Sequence, residues 1–313
     1  MNTITQHLNS RRDFLALTTA TVVGVALTGC NRGERPDRIT LAVSTQTNPF
    51  FVQLINGAET EAEAQDIELN VQDASDDAAR QADQIATAIT QDVDVVIVNP
   101  TDSDAVSVSV EALNEAGIPA IAVDRDATSG ELASFVASDN VAGGTQAART
   151  LAEALGKKGE VIVIQGVPGS SASRDRGKGF TDGIKEFPDI TIAAQQTANF
   201  DRAEGLDVAT NLMQAHPEAV GIFCENDEMA LGAVEALGAR AGKEVFVVGF
   251  DGTVEGVQAV ADGSMLATIA QQPEELGKQA VLEAIKLIRG DQAAPEVSVD
   301  VVTVTEENVG DYQ

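Results

Sequence analysis

The chain has 313 residues, 43% of them hydrophobic and 22% charged, so it is long enough for two domains and too apolar for a disordered protein. Its formal net charge of -29 at pH 7 is spread along the sequence and repels phosphate backbones, which argues against nucleic acid as a partner. Aromatic residues make up only 4%, so the adjacent pair Phe50-Phe51 stands out.

The N-terminal segment is predicted to be a targeting signal rather than part of the fold. The twin arginines Arg11-Arg12 precede a mostly apolar stretch that ends at Cys30 and is too short for a membrane-spanning helix, which needs about 20 such residues. The order Ser-Arg-Arg-Asp-Phe-Leu resembles a twin-arginine signal, and Leu-Thr-Gly-Cys resembles the lipobox of lipoproteins. We therefore expect an export signal over residues 1–29, lipidation at Cys30 and a tether over residues 30–37. The alternative is an ordinary secretory signal.

From Ile39 onward, short β-branched runs alternate with segments of helical period. The predicted strands span residues 39–43, 67–71, 93–98, 120–123, 160–164, 190–194, 219–223 and 245–248. The clearest predicted helices span residues 51–61, 79–90, 104–116, 141–155, 202–215, 228–237 and 274–288. This alternation predicts parallel sheets covered by helices on both faces. Eight strands are more than one doubly wound sheet usually has, so we predict two similar α/β lobes, with a closed α/β barrel as the alternative.

Polar and aromatic residues follow the predicted strands, where open parallel sheets bind ligands. These candidate site residues are Ser44, Asn48, Phe50, Phe51, Asn99, Asp124, Arg125, Asn226 and Asp251, with Arg176, Phe200 and Gln271 in later loops. Carboxylate, amide and guanidinium groups can hydrogen-bond adjacent hydroxyls in pairs, while phenyl rings cover C–H faces. The set therefore predicts a small polyhydroxylated ligand.

Each of these residues also has a purely structural interpretation. Asn99 and Asp251 could form turns, Asp124 and Arg125 could be an ion pair, Asn226 could cap a helix, and the phenylalanines could be core. Only their joint position after the strands favours a binding site.

The sequence lacks the residues that common catalytic sites need. Beyond the predicted signal its one histidine is His216, so neither a Ser-His-Asp triad nor a metal site is expected. The segment Gly238 to Lys243 is one residue short of a phosphate-binding loop, and no G-x-G-x-x-G follows the first strand. We therefore expect no enzyme activity, no metal and no cofactor.

At the same residues, from about Ile39 to the C-terminus, the chain closely resembles the ribose-binding branch of the type I periplasmic binding proteins, the substrate-binding components of ABC importers. The motifs that carry the resemblance begin at Val43, Asn48, Asn99, Asp124, Ala137, Arg174, Phe200, Asn226, Val248 and Ala267. The resemblance implies hydrogen bonds to a sugar from Asn48, Asp124, Arg125, Arg176, Asn226, Asp251 and Gln271, with Phe50, Phe51 and Phe200 packing on its faces. The chain departs from the pattern at Glu225, where an uncharged residue is expected.

The same resemblance implies a fold of two doubly wound parallel-sheet lobes joined by a three-crossover hinge. The N-terminal lobe would comprise residues 38–138 plus 272–300, and the C-terminal lobe residues 139–271 plus 301–313. The crossovers would lie near Ser138-Asp139, Gln271-Gln272 and Asp300-Val301. The absence of a linker rich in proline fits such short connections.

Together with the predicted signal, the resemblance implies that the protein is an exported monomer, lipid-anchored or periplasmic. Its implied function is to capture D-ribose between its lobes and deliver it to ABC permease subunits. A chemoreceptor is a further candidate partner. Alternatives are the same role for allose or another aldose, and a sugar sensor outside transport. A sugar-responsive repressor is disfavoured because an export signal stands where its DNA-binding helices would be. An enzyme would be recognised by a sugar that is changed on incubation.

Overall fold

A computed structural model describes residues 35–312, and the predicted export signal and Cys30 lie outside them. The strands of this part of the chain are β1 Arg38–Val43, β2 Glu68–Asp73, β3 Val95–Val98, β4 Ala120–Val123, β5 Ser134–Ser138, β6 Lys158–Gln165, β7 Asp189–Thr197, β8 Ala219–Cys224, β9 Phe246–Asp251, β10 Ala267–Ala270, β11 Glu296–Val299 and β12 Val302–Thr305. Its α-helices are α1 Pro49–Ala64, α2 Ala78–Thr90, α3 Ser107–Ala116, α4 Asn140–Ala154, α5 Ser171–Ile184, α6 Arg202–Ala215, α7 Asp227–Leu237, α8 Val254–Ala261 and α9 Pro273–Ile288.

The strands form two six-stranded sheets with equivalent strand orders. The first sheet has the order β11-β5-β4-β3-β1-β2, and the second has the order β12-β10-β9-β8-β6-β7. The predicted two-lobe α/β fold is confirmed, and the barrel alternative is wrong. Pairing is parallel except between β10 and β12, which run antiparallel, so the second sheet departs from the predicted parallel arrangement at its edge.

The chain passes between the two sheets three times. It leaves the first sheet after β5, leaves the second after β10, and changes sheet again between β11 and β12. The predicted crossovers fall in these three connections. The residues at which each lobe ends stay a prediction.

Helices cover both faces of each sheet. In the first lobe α1 and α9 pack on one face, with α2 and α3 on the other. In the second lobe α4 and α5 cover one face, and α6, α7 and α8 cover the other. Because central strands such as β3 are buried on both faces, they are continuous apolar runs rather than alternating patterns.

Helix α5 was not predicted from the sequence, because its buried face has a helical period but consists mostly of serine, glycine and arginine rather than apolar residues. Instead, glycines on both helices allow α5 to pack closely against α4. A Cβ atom at Gly144 of α4 would collide with the carbonyl oxygen of Arg176, and one at Gly179 of α5 would collide with that of Val141. The two helices therefore pack backbone against backbone, which fixes α5 and the Arg176 side chain that it carries.

Candidate ligand-binding site

The carboxyl ends of both sheets face one cavity between the lobes. Nine of the twelve candidate residues line it together with Ala172, which carries no polar group that a sequence pattern could single out. The lining residues are Asn48, Phe50, Phe51, Asp124, Arg125, Ala172, Arg176, Phe200, Asn226 and Asp251. The other three candidates, Ser44, Asn99 and Gln271, are buried but do not line the cavity.

In the first lobe, the cavity is centred on Asp124, which is 2% exposed and directly follows β4. Its Oδ2 atom accepts a hydrogen bond from Asn99 Nδ2 at 3.2 Å and lies 3.7 Å from Arg125 Nε. Burial raises the pKa of Asp124, while the charges of Arg125 and Arg176 oppose that rise. Its Oδ1 atom has no hydrogen-bond partner in the structure. A buried acceptor of this kind is free to bind a ligand hydroxyl.

Ser44 and Asn99 lie behind Asp124 and hold it in place. The backbone N–H and the hydroxyl of Ser44 donate to Asn99 Oδ1 at 3.1 and 2.7 Å. The amide of Asn99 then donates to the Val123 carbonyl and to Asp124, each at 3.2 Å. The sequence placed them at the correct edge of the sheet, but their contacts make them supports for Asp124.

Aromatic rings enclose the cavity and pack against Arg125. The guanidinium lies 5.2 Å from the ring centroid of Phe51 and 5.4 Å from that of Phe200, and it donates to the Pro100 carbonyl at 3.0 Å. Phe50 and Phe51 pack edge to face, with centroids 5.2 Å apart. Because Phe200 belongs to the second lobe, Arg125 is in contact with aromatic rings from both sides of the cavity.

Asn48 and Asn226 each line the cavity and also cap a helix, so the binding and capping interpretations of Asn226 both hold. Asn48 Oδ1 accepts from the Phe50 N–H at 2.9 Å at the start of α1. Asn226 Oδ1 accepts from the Met229 N–H at 2.9 Å at the start of α7, and its amide donates to the Phe200 carbonyl at 3.2 Å. Capping fixes both side chains at the edge of the cavity.

In the second lobe, Arg176 is held on four sides. Its Nε donates to Asn140 Oδ1 at 2.8 Å, its Nη1 donates to the Glu225 carbonyl at 2.7 Å, and the guanidinium lies 4.0 Å from the ring centroid of Phe250. Asp251 Oδ1 is 3.5 Å from Arg176 Nη1. A guanidinium fixed in this way can present its remaining N–H groups to a ligand without reorganising.

Gln271 supports Asp251 rather than lining the cavity. Its Nε2 donates to Asp251 Oδ1 at 2.7 Å, whereas its own Oε1 has no hydrogen-bond partner in the structure. Burial raises the pKa of Asp251 well above its usual range, and the charge of Arg176 opposes that rise.

Two buried carboxyls beside the cavity were not predicted as site residues. Glu225 accepts from the Gly166 N–H at 2.7 Å and from the Ser173 hydroxyl, and burial raises its pKa to about 7. Asp227 accepts from Thr253 and Thr268. The only feature of the sequence that could have indicated them is the position of a charged residue beside an apolar strand. Glu225 leaves the capping bond of Asn226 intact.

The donor set suits an uncharged ligand with many hydroxyl groups. Carboxylates, guanidiniums and amides supply acceptors and donors within one small cavity, and phenyl rings supply apolar faces. Within residues 35–312 no cluster of histidine, cysteine or carboxylate side chains could hold a metal ion. No helix in that range is long and apolar enough to cross a membrane.

Comparison with known proteins identifies the family. Residues 39–292 match the periplasmic binding protein domain, so the chain belongs to the periplasmic binding proteins. It is 41% identical over 290 residues to the ribose import binding protein of Escherichia coli (strain K12), covering 93% of this chain and 98% of that protein. It is 42% identical over 269 residues to the ribose import binding protein of Bacillus subtilis (strain 168), covering 86% and 87%. The predicted family is therefore confirmed, and membership implies an exported binding protein rather than an enzyme.

Solved structures of similar proteins hold small polyhydroxylated molecules. An ABC transporter periplasmic solute binding protein from Actinobacillus succinogenes 130z with bound D-allose has a TM-score of 0.83 at 35% identity, covering 89% of this chain and all of that one (100%). The myo-inositol binding protein of Caulobacter, bound to myo-inositol, has a TM-score of 0.84 at 33% identity, covering 89% and 98%. The fold deduced from the two sheets is therefore the fold of sugar- and polyol-binding relatives.

Proposed function

We propose that this protein captures D-ribose between its two lobes and delivers it to the permease subunits of an ABC importer. The observation that carries the proposal is the interlobe cavity, in which Asp124 keeps an unpartnered buried oxygen opposite the fixed guanidinium of Arg176. The relatives named as ribose import binding proteins, at 41% and 42% identity over most of the chain, support ribose as the sugar.

Binding and closure are coupled because the sugar would contact both lobes. Asp124, Arg125 and the phenylalanine pair of α1 belong to the first lobe, whereas Arg176 and Asp251 belong to the second. A ligand shifts a hinge equilibrium only to the extent that it binds one state better, and only the closed state offers both halves of the site. The closed shape would then be the form that the permease recognises.

Another aldose such as allose is the second candidate, favoured by the relative solved with D-allose. A single side chain that bonds a hydroxyl can discriminate strongly against a sugar that lacks or misplaces it. The cavity residues Asp124 and Asp251 are therefore the groups through which ribose and its epimers would be distinguished. A role as a sugar sensor outside transport would use the same cavity.

The test is a thermal-shift screen of the purified protein lacking residues 1–29 against pentoses and hexoses, followed by calorimetric titration. A ligand that binds only the folded state, at a hundred times its Kd, stabilises it by about 2.7 kcal/mol, so ribose should give the largest shift in Tm. A larger shift with another aldose would replace ribose in the proposal, and no shift with any sugar would overturn it. Each sugar should be recovered unchanged.

For localisation, we propose a lipid anchor at Cys30 and export through the twin-arginine route, followed by binding as a monomer and, as a further partner, recognition by a chemoreceptor. Cys30→Ala should release the protein from the membrane fraction. Replacing Arg11 and Arg12 by lysine should leave precursor in the cell. Protein that stays on the membrane in the first variant, or normal export in the second, would contradict the corresponding part of the proposal.

A further inference from the structure

The two lobes also hydrogen-bond to each other directly, beside the cavity. The Ser103 N–H donates to the Gly169 carbonyl at 3.0 Å, the Ser171 N–H donates to Ser103 Oγ at 3.3 Å, and the Asp126 N–H donates to Ser171 Oγ at 2.7 Å. Ser103 and Asp126 belong to the first lobe, and Gly169 and Ser171 belong to the second. We call these four residues the interlobe latch.

The two serines of the latch are buried, and the latch is closely packed. Ser103 is 0% exposed and Ser171 is 5% exposed. Gly169 lies so close to the carboxylate of Asp102 in the opposite lobe that a Cβ atom there would collide with it. These groups can make such contacts only while the lobes are together, because the partners belong to different lobes.

The latch is adjacent to the binding cavity in sequence but does not line it. Arg125, which lines the cavity, precedes Asp126, and Ala172, which also lines it, follows Ser171. The loop after β4 and the first turn of α5 therefore contribute both to the cavity walls and to the bonds from lobe to lobe. A movement that brings the two walls onto a ligand also forms the latch.

We propose that Ser103 and Ser171 set the affinity for sugar without touching it, by stabilising the closed state. The inference rests on the proposed function, since it requires a ligand held between the lobes. The apparent affinity of a protein with a closing step depends on how readily the closed state forms. Latch bonds favour closure whichever sugar is bound, so they raise the affinity for every sugar by the same factor.

The test is Ser171→Ala, with Ser170→Ala as its matched control. Ser170 precedes Ser171, is likewise buried at 0% exposed, and its hydroxyl has no hydrogen-bond partner in the structure. Affinity and dissociation rate are measured by calorimetry and stopped flow for D-ribose and for the aldose with the next largest thermal shift. Losing one such hydrogen bond corresponds to about a three- to tenfold loss of affinity.

In Ser171→Ala, the affinity for both sugars should fall by the same factor and both sugars should dissociate faster. The Tm of the sugar-free protein should stay that of the wild type. Ser103→Ala should behave alike, because it removes the acceptor of a second latch bond. Wild-type affinity in both variants, or a loss of affinity confined to one sugar, would overturn the role proposed for the latch. A wild-type protein that binds no sugar would instead overturn the proposed function, and the latch with it.

Discussion

At the scale of single residues, the cavity is built in two layers, a lining layer and a supporting one. Asp124 and Asp251 line the cavity, while Asn99 and Gln271 orient them from behind. The sequence places Asn99, Asp124 and Asp251 shortly after predicted strands and Gln271 in a later loop, which is enough to predict one site. The sequence alone cannot tell lining residues from supporting residues, because that difference depends on how deeply each side chain is buried at the edge of the sheet.

Asp124 is expected to be needed for binding, so its replacement should lower the affinity for ribose by more than the replacement of a surface carboxylate does. Asp124→Ala removes an acceptor from the cavity, one of the acceptors of Asn99 and the carboxylate beside Arg125, so ribose affinity should fall at least about tenfold. Arg176→Ala should do likewise. Asp104→Ala, on the exposed surface of the same lobe, is the control. Calorimetric titration of the folded variants measures the effect, and wild-type affinity in both cavity variants would remove this cavity as the sugar site.

Glu225 should make stability depend on pH. Its pKa is raised to about 7 from 4.5 by burial, so the folded state binds its proton more tightly than the unfolded state. The resulting stability is fully present below about pH 4.5 and is lost as pH rises through about 7. Between those limits, wild type should lose about 3 kcal/mol relative to Glu225→Gln, which keeps an acceptor but cannot ionise.

Urea unfolding of both proteins at several pH values measures that difference, and the other carboxylates cancel because both proteins share them. A difference in unfolding free energy that stays constant from pH 4.5 to 8 would show that Glu225 is not perturbed in the folded protein.

At the scale of elements, α5 shows where sequence patterns stop being informative. The apolar runs of the central strands and the stripes of helices such as α6 were visible, and α6 was predicted with its observed bounds. Helix α5 was missed because contact with α4, rather than an apolar stripe, buries it. The short strands β5, β10, β11 and β12 were missed because polar residues interrupt their apolar runs, unlike those of the equally short β3 and β4.

The α4–α5 contact should be intolerant of a single methyl group. Gly144→Ala places a Cβ atom against the carbonyl oxygen of Arg176, so α5 must shift or strain, and overpacking of this kind costs about 1–3 kcal/mol. The shift moves Arg176, so ribose affinity should fall as well. The control is Gly310→Ala, where a Cβ atom meets nothing within 4 Å. Denaturant midpoints and titrations check both effects, and a Gly144→Ala protein as stable as wild type would show that the helices can separate freely.

At the scale of the whole molecule, three short connections join two lobes of equivalent topology, so the chain can close like a hinge without a long linker. The sequence alone favoured two lobes over a barrel from the number of strands. Which strand pairs with which could not be predicted that way, because β11 and β12 reach their sheets only after the chain has crossed over.

The net charge of -29 should make the folded protein more stable in salt. Several cations are paired on the surface, as in Arg149 with Glu186 at 2.8 Å and Lys178 with Asp182 at 2.8 Å, but the 49 acidic residues far outnumber the 20 basic ones. Salt weakens such pairs, but each is worth only about 0–1 kcal/mol. Salt also screens the summed repulsion, because the Debye length falls from about 10 Å at 0.1 M to about 3 Å at 1 M.

The Tm should therefore rise with KCl and level off towards 1 M, whereas a neutral osmolyte at equal osmolality would not reproduce that saturation. A Tm independent of KCl would mean that the carboxylates are too far apart to repel one another.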